Sequence, residues 1–445
     1  MEVMGKVKTR FAPSPTGALH IGGVRTALYA YLLARGSNGI FALRIEDTDQ
    51  ERLVPGSAED IIETLKWLGL EFDEGPIYQS KRLKIYQKYA QELIDKGLAY
   101  KKDGAIWFKT VKDGETSWTD LAGNKTITIA NSLHDDFVMI KSDGYPTYNF
   151  AVVIDDHLME ITHIIRGVEF ISSTPKHIML FNAFSWQLPQ FVHLPLILGS
   201  DRSKLSKRHG AQAASEFRKD GFLPEAILNF IVLLGWTSPS GREIMTLPEM
   251  IDEFSSKDLN LANPIFDMTK LEWMNGEYIR KTQISELKSQ IFQYTRELSS
   301  GVLTPKDHPT EEEIEKIVPL IRERIKKLSD FIPLTDFIFE KPEYDIKIFQ
   351  KININSDLLE QKKILEKILE ILENFKKPWQ AKVFEAAFRK LAQDENIKAG
   401  DMFLLIRVAV SGQAVTPPLF ESIKIIGEDE VLDRIRGVVN TYPNF

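Results

Sequence analysis

The feature that most constrains this chain is a strand–loop–helix–strand unit within its first 45 residues. Val7-Lys-Thr-Arg-Phe-Ala12 reads as a short strand, and a loop rich in Pro and Gly follows it. His20 to Arg35 predicts a helix, with Leu28, Tyr31 and Leu32 on one face and Gly36 stopping it. Ile40-Phe-Ala-Leu-Arg-Ile45 is then an apolar run of strand length, as expected of a buried parallel strand. Ser57-Ala-Glu-Asp60 has the form of a capping box with Asp in place of Glu, opening a helix through Ile61, Leu65 and Leu68 to Gly69. Another helix begins at Ser80, with Leu83, Tyr86, Ala90 and Leu93 facing inward and Gly97 ending it. This alternation predicts an α/β fold built on a doubly wound parallel sheet.

The pattern changes at Tyr100. Lys102-Asp-Gly104, Lys112-Asp-Gly114 and Ala122-Gly-Asn124 are turn signals between short β-like runs, which predicts a small β-rich insertion with Trp107 and Trp118 as its own core. The α/β pattern resumes at Thr147 and runs through Ile161–Ile165. From about Gly221 the chain is mainly helical, and Ile364, Leu365, Ile368, Leu369 and Leu372 form an amphipathic stripe in an all-α C-terminal region. The expected divisions are 1–98 and 141–220 as two halves of one α/β domain, 99–140 as the insertion, 221–306 as a connecting region and 307–445 as a helical domain.

With 445 residues, 43% hydrophobic and 27% charged, the chain has apolar material for two or three cores. No run is long and apolar enough to span a bilayer, and residues 1–8 lack a secretory apolar segment. No cysteine is present, so disulfides and thiolate-held zinc are excluded, and a cytoplasmic monomer is expected. A net charge of −7 means that any nucleic-acid surface must be a local basic patch.

Two motifs suit phosphate. Arg10-Phe-Ala-Pro-Ser-Pro-Thr-Gly-Ala-Leu-His20-Ile-Gly-Gly23 sets glycines at a helix N-terminus, where free N–H groups and the dipole favour an anion. Lys204-Leu-Ser-Lys207-Arg208 is a compact cationic loop able to meet a triphosphate from the other side. Neither is a Walker A loop. Each alone is commonly a turn or a solvated loop; together, in this order, they resemble the class I aminoacyl-tRNA synthetases, and more closely the bacterial-type glutamyl-tRNA synthetase family. Arg44-Ile-Glu-Asp-Thr-Asp49, Ser142-Asp-Gly-Tyr-Pro-Thr-Tyr148 and Trp273-Met-Asn-Gly-Glu-Tyr-Ile-Arg280 extend the resemblance through most of the chain.

The resemblance implies a Rossmann-type catalytic domain that activates L-glutamate with ATP and Mg²⁺, the metal arriving bound to the nucleotide, and passes it to tRNA(Glu). It leaves tRNA(Gln) open as an additional or alternative acceptor. His20, Lys204 and Lys207 are the implied catalytic residues. Thr16, Gly22, Gly23, Glu169 and Arg208 join them in holding ATP. Activation needs no general base, because the attacking carboxylate is already ionised; it needs alignment and cations where phosphate charge accumulates.

A substrate with two carboxylates and one ammonium calls for fixed cations and one fixed anion. Arg10 and Arg166 both fall at predicted strand ends. By resemblance they and Tyr148 take the side-chain carboxylate, while Ser14, Glu46 and the Ala12 backbone take the amino end. The alternatives are a salt bridge from Arg166 to Asp155 or Asp156, a core role for Tyr148, and an acidic turn or Mg²⁺ site at Glu46, Asp47 and Asp49. His157 and His163 lack partners at metal-ligand spacing and read as structural.

Arg322, Arg324, Lys326 and Lys327 crowd about one and a half helical turns and form the best downstream basic patch, which Glu311–Glu315 and Glu323 could simply neutralise. The resemblance places Arg322 and Arg324 at the tRNA anticodon. It also relates Ala399-Gly-Asp, Arg407-Val-Ala-Val-Ser-Gly412 and Thr416-Pro-Pro-Leu-Phe420 to the family's terminal anticodon-binding subdomain, 99–140 to acceptor-end binding, and 221–306 to stem contact. The chain departs from the family pattern in its short 99–140 segment, in Gly167-Val-Glu-Phe170, and at Val152.

Overall fold

The computed structural model describes residues 6–205, 212–297, 309–354, 357–375 and 379–441. The chain divides into two compact units, Met1–Met274 and Asn275–Phe445.

The first unit is built on a seven-stranded sheet. Its strands in chain order are β1 (Lys8–Phe11), β2 (Ile40–Ile45), β3 (Glu74–Tyr78), then β4 (Ala99–Lys102) and β5 (Ala105–Phe108), which belong to a second sheet, β6 (Glu115–Asp120), β7 (Lys125–Ala130), β8 (Phe137–Ile140), also in the second sheet, β9 (His163–Gly167) and β10 (Gln190–Leu194). The main sheet runs β3-β2-β1-β9-β10-β6-β7, parallel except for the β6–β7 hairpin. Connections leave the centre in opposite directions from β1 and β9. The crevice at that reversal, at the carboxyl ends of the strands, is where such sheets bind ligands. The helices include α1 (Ile21–Gly36), α2 (Ser57–Trp67), α3 (Leu83–Asp95), α4 (Tyr148–Leu158) and α5 (Thr174–Ala183). In α1, Leu28, Tyr31 and Leu32 are buried as their spacing requires.

The insertion does not fold as one piece. Strands β4, β5 and β8 form a three-stranded antiparallel sheet, whose Phe108, Phe137 and Met139 share a core with Tyr86, Phe150 and Leu180 of α3, α4 and α5. The β6–β7 hairpin instead extends the main sheet beside β10, with Phe191 in register with Asp120. Trp118 therefore packs with Ile164, Ile178 and Phe191 rather than in a core of the insertion's own. Alternation along β6 (buried at 116, 118 and 120) allowed either partner, and nothing local to the hairpin selects the distant strand.

Among the described residues, the second unit contains helices and no strand. Its core gathers Ile364, Leu365, Ile368 and Leu372 of Leu358–Glu373 with Phe384, Phe388, Leu405 and Ile435 from later helices. Among the described residues, no helix is long and apolar enough to cross a membrane.

Candidate active site

The loop between β1 and α1 is held by backbone and side chains from the β2–α2 connection and from α2 itself. Glu46 N–H donates to Pro13 O (2.9 Å) and Val54 N–H to Pro15 O (3.0 Å). Gly17 donates its N–H to Ser57 Oγ at 3.1 Å and accepts the Ser57 hydroxyl at its carbonyl, while Leu19 N–H reaches Asp60 Oδ2 at 3.3 Å. Ser57 and Asp60 thus clamp this loop. They are not the capping box that their spacing suggests, because Gly56, at φ +79°, occupies the N-cap of α2. Gly17 sits at φ +147°, where a side chain would be strained.

His20 caps α1: its Nδ1 accepts the Gly23 N–H at 3.1 Å. The ring lies over Gly22, where an added Cβ would approach it to 3.1 Å. An Nδ1 that accepts must be unprotonated, so the neutral ring carries its proton on Nε2. The crowding of the cleft lowers the pKa of His20, Lys204 lowers it further and Glu169 opposes, which keeps the ring in that form. Leu205 N–H bonds Ile197 O, and Ala214 N–H bonds Leu19 O, so both sides of the cationic loop are tied to the unit. Lys204 is exposed on the near side; Lys207 and Arg208 lie outside the described residues.

A cleft of about 1230 Å³ opens over these groups. Arg10, Ala12, Ser14, Thr16, His20, Gly22, Gly23, Glu46, Tyr148, Arg166, Glu169 and Lys204 all line it. Glu169 folds back over Gly167, where a Cβ would lie 2.0 Å from its carboxylate.

The buried cations differ sharply. Asp156 accepts from Arg10 Nε and Nη2 (2.9 and 3.2 Å) and from Arg44 Nη1 (2.7 Å). Arg44 also bonds Glu46 Oε1, at 3.0 Å from Nη2. Asp155 is held by Gln79, Arg82 and Tyr86. The salt bridge considered for Arg166 therefore forms on Arg10 and Arg44 instead. Arg166, 4% exposed, donates to His193 Nε2 (3.1 Å), His177 Nδ1 (3.0 Å) and Thr174 Oγ1 (2.7 Å), with no carboxylate bonded to it among the described residues. Phe170 and Phe191 each lie 5.5 Å from its guanidinium carbon. Burial lowers the pKa of Arg166; at Arg44 burial is outweighed by Asp156, Glu46 and Asp155, and the pKa is raised. Among the described residues, Arg166 is thus a buried cation whose bonded acceptors are all neutral.

Beside it, burial and then Glu46 push the Tyr148 hydroxyl up to about 12, so it stays a donor. Glu46 is pushed up by burial, against the pull of Arg44 and Arg10. Asp47 caps Ser80, and among the described residues the Asp49 carboxylate forms a long, exposed pair with Arg52. His157 stacks on Trp186, centroids 3.6 Å apart, and His163 bonds Thr162. Among the described residues, no group of three His, Asp or Glu side chains is placed to hold a metal ion.

In the second unit the basic run is a turn, not a helix. Helix Glu311–Ile321 ends at Arg322; Arg324 N–H bonds back to Ile321 O at 2.7 Å, and Asp330 accepts the N–H groups of Lys326 and Lys327. Arg322 pairs with Glu323 (3.4 Å). Arg324 is exposed and donates to Thr416 O at 2.7 Å, while Arg407 donates to the Thr416 hydroxyl at 3.1 Å. Burial, and then Arg324, lower the pKa of Arg407. Arg407 was visible in the sequence only as part of a motif. Its pairing with Arg324 across Thr416 needs the fold.

Comparison with known proteins accords with both units. The model of the class I tRNA synthetase (E and Q) catalytic domain matches residues 6–106 and 101–273, and that of an anticodon binding domain matches residues 286–439. A glutamate–tRNA ligase of Dehalococcoides mccartyi is 39% identical over 481 aligned positions, covering 97% of each chain. One from Caldanaerobacter subterraneus is also 39% identical, covering 98% of each. A crystal structure of a glutamate tRNA ligase from Elizabethkingia meningosepticum in complex with its amino acid superposes with a TM-score of 0.85 at 30% identity, over 98% of this chain and 100% of that one. The chain belongs to the glutamate–tRNA ligase family of class I tRNA synthetases. The 481 aligned positions exceed its 445 residues, so such relatives carry segments that it lacks.

Proposed function

We infer that this chain is an aminoacyl-tRNA ligase that uses ATP to attach L-glutamate to tRNA. The observation that carries the reading is Arg166: a buried guanidinium, oriented by acceptors that are all neutral among the described residues, that calls for an anion in the same cleft as the capped start of α1. The glutamate side-chain carboxylate supplies that anion. Tyr148 donates to it, and Arg10, whose Nη1 has no partner among the described residues, reaches it from the other side of the sheet reversal. Glu46, with Ser14 and the Ala12 backbone, receives the ammonium; a cation there restores the charge balance that burial disturbs.

The α-carboxylate then attacks the α-phosphorus of ATP and pyrophosphate leaves, giving glutamyl-adenylate. His20 donates its Nε2 proton to a phosphate oxygen, and Gly22 and Gly23 let the backbone approach. Thr16 and Glu169 line the nucleotide side, and Lys204, Lys207 and Arg208 bring positive charge to the phosphates. Mg²⁺ carried by ATP would add positive charge at the phosphates, beside that of Lys204, Lys207 and Arg208. In the second step a ribose hydroxyl of the terminal adenosine attacks the activated carbonyl, the bond from that carbonyl to the adenylate phosphate breaks, and AMP leaves with glutamate esterified to tRNA. Arg322 and Arg324 read the anticodon, and the pairing across Thr416 brings Arg407 to the same place. The acceptor is tRNA(Glu), with tRNA(Gln) as a second substrate to be tested, and the enzyme works as a cytoplasmic monomer.

Two measurements test this. Purified tRNA(Glu) and tRNA(Gln) are offered side by side with labelled glutamate: charging of the first supports the reading, charging of the second adds a substrate, and charging of neither overturns it. The loop clamp is tested by Ser57→Ala, which removes a buried hydrogen-bonded hydroxyl worth about 1–2 kcal/mol. In ATP–pyrophosphate exchange with tRNA present, KM for ATP should rise about five- to thirtyfold while KM for glutamate barely moves.

A further inference from the structure

Among the described residues, Arg166 is held by neutral acceptors. Its Nε–H donates to His193 Nε2 and its Nη1 to His177 Nδ1, so both ring atoms must be unprotonated acceptors. The protons therefore sit on the opposite nitrogens. His193 Nδ1–H points to Asp120 Oδ2 in a short contact, and His177 Nε2–H donates to Asn149 Oδ1 at 3.0 Å. Both tautomers are thus fixed by acceptors behind the rings. Burial leads in lowering the pKa of each histidine, which favours the neutral forms this pattern needs.

Asp120 is itself fixed. Its Oδ1 accepts the N–H groups of His193 (3.1 Å) and Ala122 (3.0 Å), and Leu121 N–H bonds Phe191 O, which pins the β6–β7 hairpin to β10. At 3% exposure, Asp120 lies one imidazole away from the guanidinium. That interposed ring matters. Arg10 meets its aspartate directly and forms a closed ion pair, whereas Arg166 is oriented by a neutral acceptor and keeps its charge for an incoming carboxylate.

We propose that Asp120 of the β6–β7 hairpin, acting through His193, is a positioning residue for Arg166 and thereby sets the affinity of the cleft for the substrate's side-chain carboxylate. The inference rests on the assignment of Arg166 to that carboxylate. It gives the hairpin a role in the amino-acid pocket, separate from any role in tRNA binding.

The test exploits the tautomer. In Asp120→Asn, the two backbone N–H groups keep the amide oxygen on their side and turn the amide NH₂ toward His193 Nδ1. The ring must then carry its proton on Nε2, facing the Arg166 Nε–H donor-to-donor; a tautomer fault of this kind is known to disable a histidine whose geometry is intact. In tRNA-dependent ATP–pyrophosphate exchange, KM for glutamate should rise about 10- to 100-fold, the loss of one charge-assisted hydrogen bond. KM for ATP should stay within about twofold. Histidine ¹⁵N resonances should show His193 moving from the Nδ1–H to the Nε2–H form. His193→Gln, which keeps an acceptor near the Nε2 position, should retain most of the glutamate affinity, whereas His193→Phe should lose it as Asp120→Asn does. That pair also carries the test if Asp120→Asn fails to fold. Parallel rises in both KM values, equal effects of Gln and Phe at 193, or an unchanged glutamate KM in Asp120→Asn would overturn the proposal. Absence of glutamate-dependent exchange in the unaltered enzyme would instead remove the underlying assignment, so the two failures are distinguishable.

Discussion

Arg166→Ala should lower kcat/KM for glutamate by about two to three orders of magnitude while KM for ATP stays within about twofold. The size follows from removing one partner of a buried, hydrogen-bonded charge pair, about 2–5 kcal/mol. The selectivity follows from placement: Arg166 is the penultimate residue of β9, packed between Phe170 and Phe191, with its donors aimed by His193, His177 and Thr174. Truncation strands neutral acceptors but no buried carboxylate, because none is bonded to it among the described residues, so the fold should lose less than it does in Arg10→Ala. Arg10→Ala makes the contrast. It should also weaken glutamate use, but it exposes Asp156 to a deficit of positive charge and should lower the melting temperature as well. The readout is tRNA-dependent ATP–pyrophosphate exchange at varied glutamate and varied ATP. Equal losses on the two substrates would mean that Arg166 is a structural arginine.

What could be read from the chain and what could not divide along a physical line. The β1–α1–β2 unit was legible because its signals are local: strand-length apolar runs, a helical stripe, and Gly36 as a stop. The position of Arg10 and Arg166 at strand ends followed from the same signals, and so did the capped start of α1 at His20. Charge pairing was not legible. Asp155 and Asp156 are neighbours on α4, yet one faces Arg82 and Tyr86 and the other Arg10 and Arg44, a choice made by helix rotation against the sheet. Ser57 and Asp60 have the spacing of a cap, but they serve a loop forty residues earlier. The run from Arg322 to Lys327 reads as helix by composition, and it is the Asp330 carboxylate capping Lys326 and Lys327 that makes it a turn. His193 and Asp120, 73 residues apart, leave no trace in either local segment.

The largest expected loss of stability comes from Asp156→Asn. The carboxylate is 2% exposed and takes three hydrogen bonds from two arginines that are themselves 4% and 0% exposed. The amide keeps the shape and removes the charge, which leaves two guanidinium groups facing each other across it, with Glu46 and the more distant Asp155 as the remaining counter-charges at Arg44. Breaking a buried pair in this way costs about 3–5 kcal/mol, and for a unit of this size calorimetry should show a fall in melting temperature of roughly 6–20 °C. The pH dependence carries the sign. Burial raises the Asp156 pKa, but Arg10 and Arg44 outweigh it and hold the carboxyl at about 2 against an ordinary 3.8. A depressed carboxylate contributes its stabilisation fully above its unfolded pKa and loses it as pH falls through the folded one. The gap in melting temperature between the unaltered chain and Asp156→Asn should therefore be constant from about pH 5 to 8 and narrow from about pH 4 toward pH 2. A gap that persists undiminished in acid would mean that the loss comes from packing around the amide, not from the charge that Arg10 and Arg44 share.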